Sequence, residues 1–338
     1  MVTNPQTAGM PTMQQLRPLI APFQKSKTST ALLQLVSTLL LYAGFWVLMV
    51  RSLEIGYWLT LLLSIPAAGV LVRIFIIFHD CGHGSFLPNR LANQIVGFFT
   101  GVLVFTASEQ WWHTHAIHHA NNGNLDKRGV GDVETLTVKE YKALSPVRQL
   151  GYRLFRHPLV MFIIGPIWMF LIQHRLPLPW LGKKEGLNLL LHNLVLAAAI
   201  WGMSMWIGLR AFILIQLPVI WLAGMLGIWL FFVQHQFETV YWQRQEQWNY
   251  FAAAIRGASY YELPGILRWV SGNIGFHHLH HLSPRIPNYR LQAAHQATSV
   301  LQPVTQKITL RTSLNSIGLA LWDEDNQRLI RFRELKDL

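Results

Sequence analysis

The sequence predicts an all-α protein: a polytopic membrane helical bundle of about four crossing helices, with interfacial or re-entrant helices and a helical cap on the cytoplasmic side. Three observations predict it. Hydrophobic residues make up 51% of the 338 residues and charged residues only 13%, about half the charge of an ordinary soluble domain. Mean hydropathy is +0.27. The net charge of +12 is carried by loops between long apolar runs, which is how cytoplasmic loops flank membrane spans. That placement argues against nucleic-acid binding as the use of the charge.

A bilayer core about 30 Å thick needs about 20 helical residues at roughly 1.5 Å each. Residues 31–50, 57–78, 187–206 and 211–233 meet that length. Residues 91–107 and 159–172 are apolar but short, and the second holds Pro166. Sidedness follows by parity. Lys25 and Lys27 precede the first run and put the N-terminus inside. The stretch 109–158 carries Lys127, Arg128, Lys139, Lys142, Arg148, Arg153 and Arg156, and 173–186 carries Arg175, Lys183 and Lys184. Both are inside loops by their charge, so neither short segment crosses singly. Four crossings result, with six as the alternative. The expected division is a cytoplasmic N-terminal segment at 1–30, a membrane domain with its cap at 31–298, and a cytoplasmic tail at 299–338. The polar start holds Pro5, Pro11, Pro18 and Pro22 and reads as leading into an uncleaved first span rather than as a cleaved signal. Residues 289–300 and 313–335 read as polar or amphipathic helices.

Cys81 is the single cysteine, whereas histidine occurs 15 times. A disulfide framework and a cysteine-based zinc or iron–sulfur site are excluded. Imidazole is the metal ligand this chain has in quantity, and it is clustered. His79 and His83 are four apart where the second run leaves the bilayer. His115, His118 and His119 have offsets of 0, 3 and 4, which put three rings on one helical face. His277, His280 and His281 repeat those offsets. His113 and His278 point off these faces. His235 closes the fourth long run at the same depth as the clusters. Neutral imidazoles suit borderline metals. A structural zinc site is closed by four ligands, so eight or nine argue for two ions with open positions.

The stretches HDCGHGSF (79–86), HTHAIHHANNGNLDKRG (113–129) and GNIGFHHLHHLSPRIPNYRL (272–291) resemble the three histidine boxes of membrane fatty acid desaturases. They are most similar to the bacterial acyl-lipid branch, including its delta-5 and delta-12 types. The similarity runs from about His79 to Leu291. It implies a di-iron centre on the cytoplasmic face of the inner membrane. His79, His83, His115 and His119 would hold one iron, and His118, His235, His277, His280 and His281 the other. It further implies O₂ as co-substrate and removal of two hydrogens from a membrane-lipid acyl chain. One departure is Gln110-Trp111-Trp112-His113-Thr114, where related sequences tend to carry a basic residue. There is no His-Pro-Gly-Gly haem motif; His157-Pro158-Leu159 does not match. Electrons then come from a separate donor of ferredoxin or flavodoxin type, drawn to the basic face.

Removing hydrogen from an unactivated methylene is cofactor chemistry, because no side chain is basic enough. The protein supplies position, dryness and electronics. All-imidazole ligation leaves a strongly positive centre, so carboxylates on the far ring nitrogens are expected. Asp80, Asp126, Asp132, Glu109 and Glu238 are the candidates, and Asn273 could approach a metal through water. Phe86, Phe98, Phe99, Phe105, Trp111 and Trp112 are candidates to line an acyl tunnel. Sister hydroxylases and ketolases carry similar boxes, but the tail from Ser283 to Tyr289 favours a desaturase. A metal transporter needs ionisable groups within its spans; here the clusters sit at span ends. A membrane zinc hydrolase would bind one zinc and no iron.

Overall fold

The computed structural model describes residues 10–336. Residues 1–9, Pro5 of the N-terminal stretch among them, and the last two residues of the tail lie outside the described residues. Helix α1 (Met13–Ile20) opens with a capping box. The Thr12 hydroxyl accepts from the Gln15 N–H, while the Gln15 side chain accepts from the Thr12 N–H, satisfying two donors that a helix start leaves unpaired. It is followed by α2 (Thr28–Ile55) and α3 (Tyr57–Gly82), then α4 (Arg90–Leu103) and α5 (Ser108–Asn121). A polar stretch carries the two-residue strand β1 (Leu136–Thr137), α6 (Val138–Ala143) and α7 (Pro146–Phe155). The short α8 (Gly165–Ile167) lies between π-helical turns. Then come α9 (Lys183–Ile207) and α10 (Leu209–His235).

Helices α2, α3, α9 and α10 are long and apolar enough to cross a membrane, and with the family assignment given below the protein is a membrane protein. They differ in enclosure. In its most apolar window α3 is 61% buried and α9 only 11%, so α3 is the central helix and α9 a peripheral one. Leu33, Leu40, Trp201 and Met205 are largely exposed on α2 and α9, a surface that suits lipid and not water. Because lipid is as apolar as a side chain, helices in it associate through close packing of small residues. Ala67 and Ala68 on α3 are fully buried in that role. The two short apolar segments are bent. The α4–α5 pair turns by 102°, and α7 with the segment after it by 57°. The count of spans is four, or six if each bent pair were one span.

Trp112 locks the first bend. A Cβ on Gly82 would lie 2.3 Å from its Cδ1, and one on Gly97 would lie 2.3 Å from its Cζ2. The indole thus fits between α3 and α4 only because both faces are glycine, and its Nε1 donates to the Phe78 carbonyl at 3.1 Å. This contact sets α5 against the end of α3.

Beyond α10 the cap is built from α11 (Tyr250–Arg256), β2 (Tyr260–Glu262), α12 (Gly265–Val270), α13 (His277–Leu282) and α14 (Asn288–Ala297). The helix expected at 289–300 corresponds to α14 and a following 3₁₀ turn. The helix expected at 313–335 is not formed. After β3 (Lys307–Thr309) and α15 (Leu310–Ser313), that region is a hairpin of β4 (Leu319–Asp323) and β5 (Arg328–Arg331). β1 pairs in parallel with β4, and β2 with β3. The reason is burial on both faces. Leu319 and Trp322 pack into one apolar cluster and Ala320 and Leu321 into another. Such a strand is a continuous apolar run without two-fold alternation, which periodicity cannot tell from helix. Asp323 turns the hairpin by accepting from the N–H groups of Asp325 and Asn326.

Candidate metal centre

The ends of two spans and two shorter helices bring the histidines together. His79 lies on the last turn of α3 and His83 is its C-cap. His115, His118 and His119 lie on α5, His235 ends α10, and His277, His280 and His281 lie on α13. They form two adjacent groups that could hold metal ions. In the first, single ring nitrogens of His79, His83, His115, His119 and His280 lie within 4.8 Å of one another; in the second, those of His118, His235 and His281 do. His277 adjoins the second, its Nε2 2.9 Å from that of His235 and 3.2 Å from that of His281. His280 stands with the first group, not with the second as the resemblance implied. Its Nε2 is 2.9 Å from that of His119, because residues three apart on α13 fan toward different neighbours.

The far ring nitrogens fix the tautomers. His235 Nδ1 lies 2.9 Å from the Gly257 carbonyl, which only accepts, so Nδ1 carries the proton. His118 Nδ1 faces the Asp132 carboxylate, and the same holds. In the neutral form that metal ligation requires, each ring then has a bare lone pair on Nε2. Those two Nε2 atoms face each other at 3.3 Å. Two lone pairs at that distance repel, and neither can donate. A cation between them resolves the conflict, so the donor set fits a metal. His79 is held likewise, its Nδ1 3.0 Å from Asp80. Burial first, and then neighbouring imidazoles, push His277, His280 and His281 well below the usual imidazole range, which keeps them neutral as metal ligands must be.

Of the carboxylates singled out in the sequence, the structure brings two to the rings. Asp80 is buried; one oxygen faces His79, and the other accepts from the Asn288 backbone at 2.6 Å and its side-chain amide at 2.8 Å. Asp132 faces His118. The other three pair with cations away from the rings: Asp126 with Arg244, Glu109 with Lys184, and Glu238 with Arg328. The Asn273 amide donates to the Asn288 carbonyl. His113 pairs with Glu185. His278 is buried on the opposite side of α13, between Tyr260 and His295.

Asn288 is the residue that sequence reasoning missed. Besides holding Asp80, its side-chain oxygen accepts from Gln34 on α2 at 3.0 Å. Its place in the Pro-Asn-Tyr start of α14, just after the third box, is the one available signal. Among the aromatic candidates, Trp111 stacks on His115 with centroids 4.5 Å apart. Phe98, Phe99 and Trp112 line a groove of about 370 Å³ with Glu109 and Lys184. Phe86 is buried beneath Tyr289. Phe105 takes a left-handed conformation where α4 gives way to α5.

Comparison with known proteins gives the family. A family model described as fatty acid desaturase matches residues 55–303. A fatty acid desaturase of Bacillus subtilis is 47% identical over 96% of this chain and 92% of its own length. An sn-1 acyl-lipid omega-3 desaturase (ferredoxin) of Nostoc is 27% identical, covering 74% of this chain and 69% of its own. An sn-1 oleoyl-lipid 12-desaturase of Anabaena variabilis is 24% identical over 81% and 77%. The chain belongs to the fatty acid desaturase family and is an enzyme, an oxidoreductase.

Proposed function

We propose that this member of the fatty acid desaturase family introduces a double bond into an acyl chain carried on a membrane lipid, as a desaturase of the delta-5 or delta-12 type, using two irons and electrons from a ferredoxin-type donor. The observation that carries the reading is the His118–His235 contact, two bare nitrogens 3.3 Å apart within a set of nine converging rings. His79, His83, His115, His119 and His280 would hold one iron. His118, His235, His277 and His281 would hold the other. The irons would supply the redox chemistry: two hydrogens from adjacent methylenes, with two electrons and two protons from outside, reduce O₂ to two waters.

What the chain itself supplies is position and charge. Asp80 and Asp132 hold His79 and His118 in the tautomer that offers Nε2, and their negative charge offsets part of the cationic centre. Burial of the rings keeps water from a site whose oxidant would otherwise be quenched. The acyl-lipid names of the cyanobacterial relatives support a lipid-borne substrate, and the ferredoxin in one of those names supports the donor class. The basic loops that flank the spans support an active site on the cytoplasmic side.

Expression in a host that lacks the product, followed by mass spectrometry of double-bond position in its lipids, tests the reading. New monounsaturated or further unsaturated acyl chains at one fixed position are expected. Hydroxylated chains in their place would assign a sister reaction instead.

A further inference from the structure

The cap carries an apolar surface that the four spans do not account for. Strands β2 and β3 run parallel and in register, Tyr260 beside Lys307 and Glu262 beside Thr309. Each strand runs within a few residues into a short helix, β2 into α12 and β3 into α15. Parallel register therefore delivers both helices to the same end of the pair. Both expose large apolar side chains there: Ile266 (70% exposed), Leu267 and Trp269 on the first, Leu310 on the second and Leu314 (59%) in the 3₁₀ turn that continues it.

The level of this end is fixed by α3. Val270 packs against Gly69, the Arg73 guanidinium lies 4.3 Å from the Trp269 ring centre, and Arg73 donates to the Trp269 carbonyl. Arg73 is six residues before His79 on a continuous helix, roughly 9 Å further into the span at about 1.5 Å per residue. Helix α12 thus sits beside the interior of a spanning helix, not above its end. A tryptophan with arginines beside it is the composition of a membrane interface; Arg268 and Arg311 supply it on the two helices.

We propose that α12 and residues 310–317 form a paired foot that inserts into the lipid leaflet on the histidine side, with Arg268 and Arg311 at its anionic headgroups. The occupant is lipid because the surface continues the exposed Ile65 face of the first half of α3, one helical turn before Gly69, and its charged fringe is basic. The proposal rests on the reading of α3 as a span and is independent of the metal. The foot ties the third histidine helix to the bilayer, since α12 leads through Asn273 directly into α13.

The test uses the full chain in vesicles of phosphatidylglycerol and phosphatidylethanolamine. Cys81 is buried, so single cysteines introduced as Ile266→Cys and Leu314→Cys can be spin-labelled selectively. Ile65→Cys on the exposed face of α3 reports lipid, and Glu246→Cys on an exposed loop reports water. The foot predicts faster collision with O₂ than with a water-soluble nickel chelate at 266 and 314, shifted toward the Ile65→Cys ratio. A ratio matching Glu246→Cys overturns it. So does slow collision with both probes, which would mean that protein, such as a second copy of the chain, covers the patch. A water-like ratio at Ile65→Cys would instead overturn the span itself.

Discussion

Asp80 and Asp132 do the same work for different histidine groups, yet they are held in opposite ways. Both oxygens of Asp80 are engaged, one by His79 and the other by two donors of Asn288. Asn288 is in turn held by Gln34, so α2, α3 and α14 brace the first group together. Among the described residues Asp132 has only its contact with His118, and its second oxygen is buried without a hydrogen-bond partner. It stands on an irregular stretch beside Gly129 and Gly131, both in left-handed conformations. The first group is set by helix packing and the second, on that side, by a loop. A fully satisfied buried network rigidifies, and a partly satisfied one leaves a polar atom that costs stability.

The largest effects should come from the ligands themselves. His280→Ala and His118→Ala should each abolish product formation while the chain still inserts in the membrane. His118→Ala should lose iron from the second group only, read as a drop from about two irons per chain toward one. Equal loss of both irons from His118→Ala would show that the groups are not separable.

The carboxylates sharpen the contrast. Asp132→Asn and Asp80→Asn should each lower iron affinity or turnover by about 10- to 100-fold. Only Asp80→Asn should also lower thermal stability, because its new NH₂ group must face a donor, either His79 Nδ1 or Asn288. The cost is about 1–3 kcal/mol for the unsatisfied buried group. In Asp132→Asn the amide nitrogen can turn to the side where no donor stands. Matching melting temperatures for the two variants would break the comparison.

Gly131→Ala tests the loop. At φ +74° a Cβ is strained, and it would lie 2.8 Å from the Thr114 carbonyl and 3.1 Å from the His118 Cβ. About 1–3 kcal/mol of strain is expected, with iron lost from the second group before the first. The smallest effect belongs to Asn288→Ala. The backbone N–H still holds Asp80, so about 1 kcal/mol of stability should go, with a modest fall in iron affinity confined to the first group. Loss confined to the second group would contradict the wiring described here.

How much of this was legible in the sequence follows from where the information lies. The four spans were readable because length and hydropathy are local properties of a run. The histidine faces were readable because offsets of 0, 3 and 4 translate directly into one side of a helix. Grouping between boxes was not readable: whether His280 joins His79 or His235 depends on how α13 is rotated against α3 and α10. Nor could the sequence separate Asp80 and Asp132 from Asp126, Glu109 and Glu238. All five are acids near a box or near His235, and the last three find arginine or lysine partners from distant segments. The β4–β5 hairpin is not legible either, because burial on both faces erases the alternation that marks a strand.

The central claim is that nine imidazoles from four segments hold two irons. Metal analysis of the purified, iron-supplied protein tests it most directly. Two irons and no zinc per chain are predicted. One zinc without iron, or a single iron unaffected by His118→Ala, would contradict it.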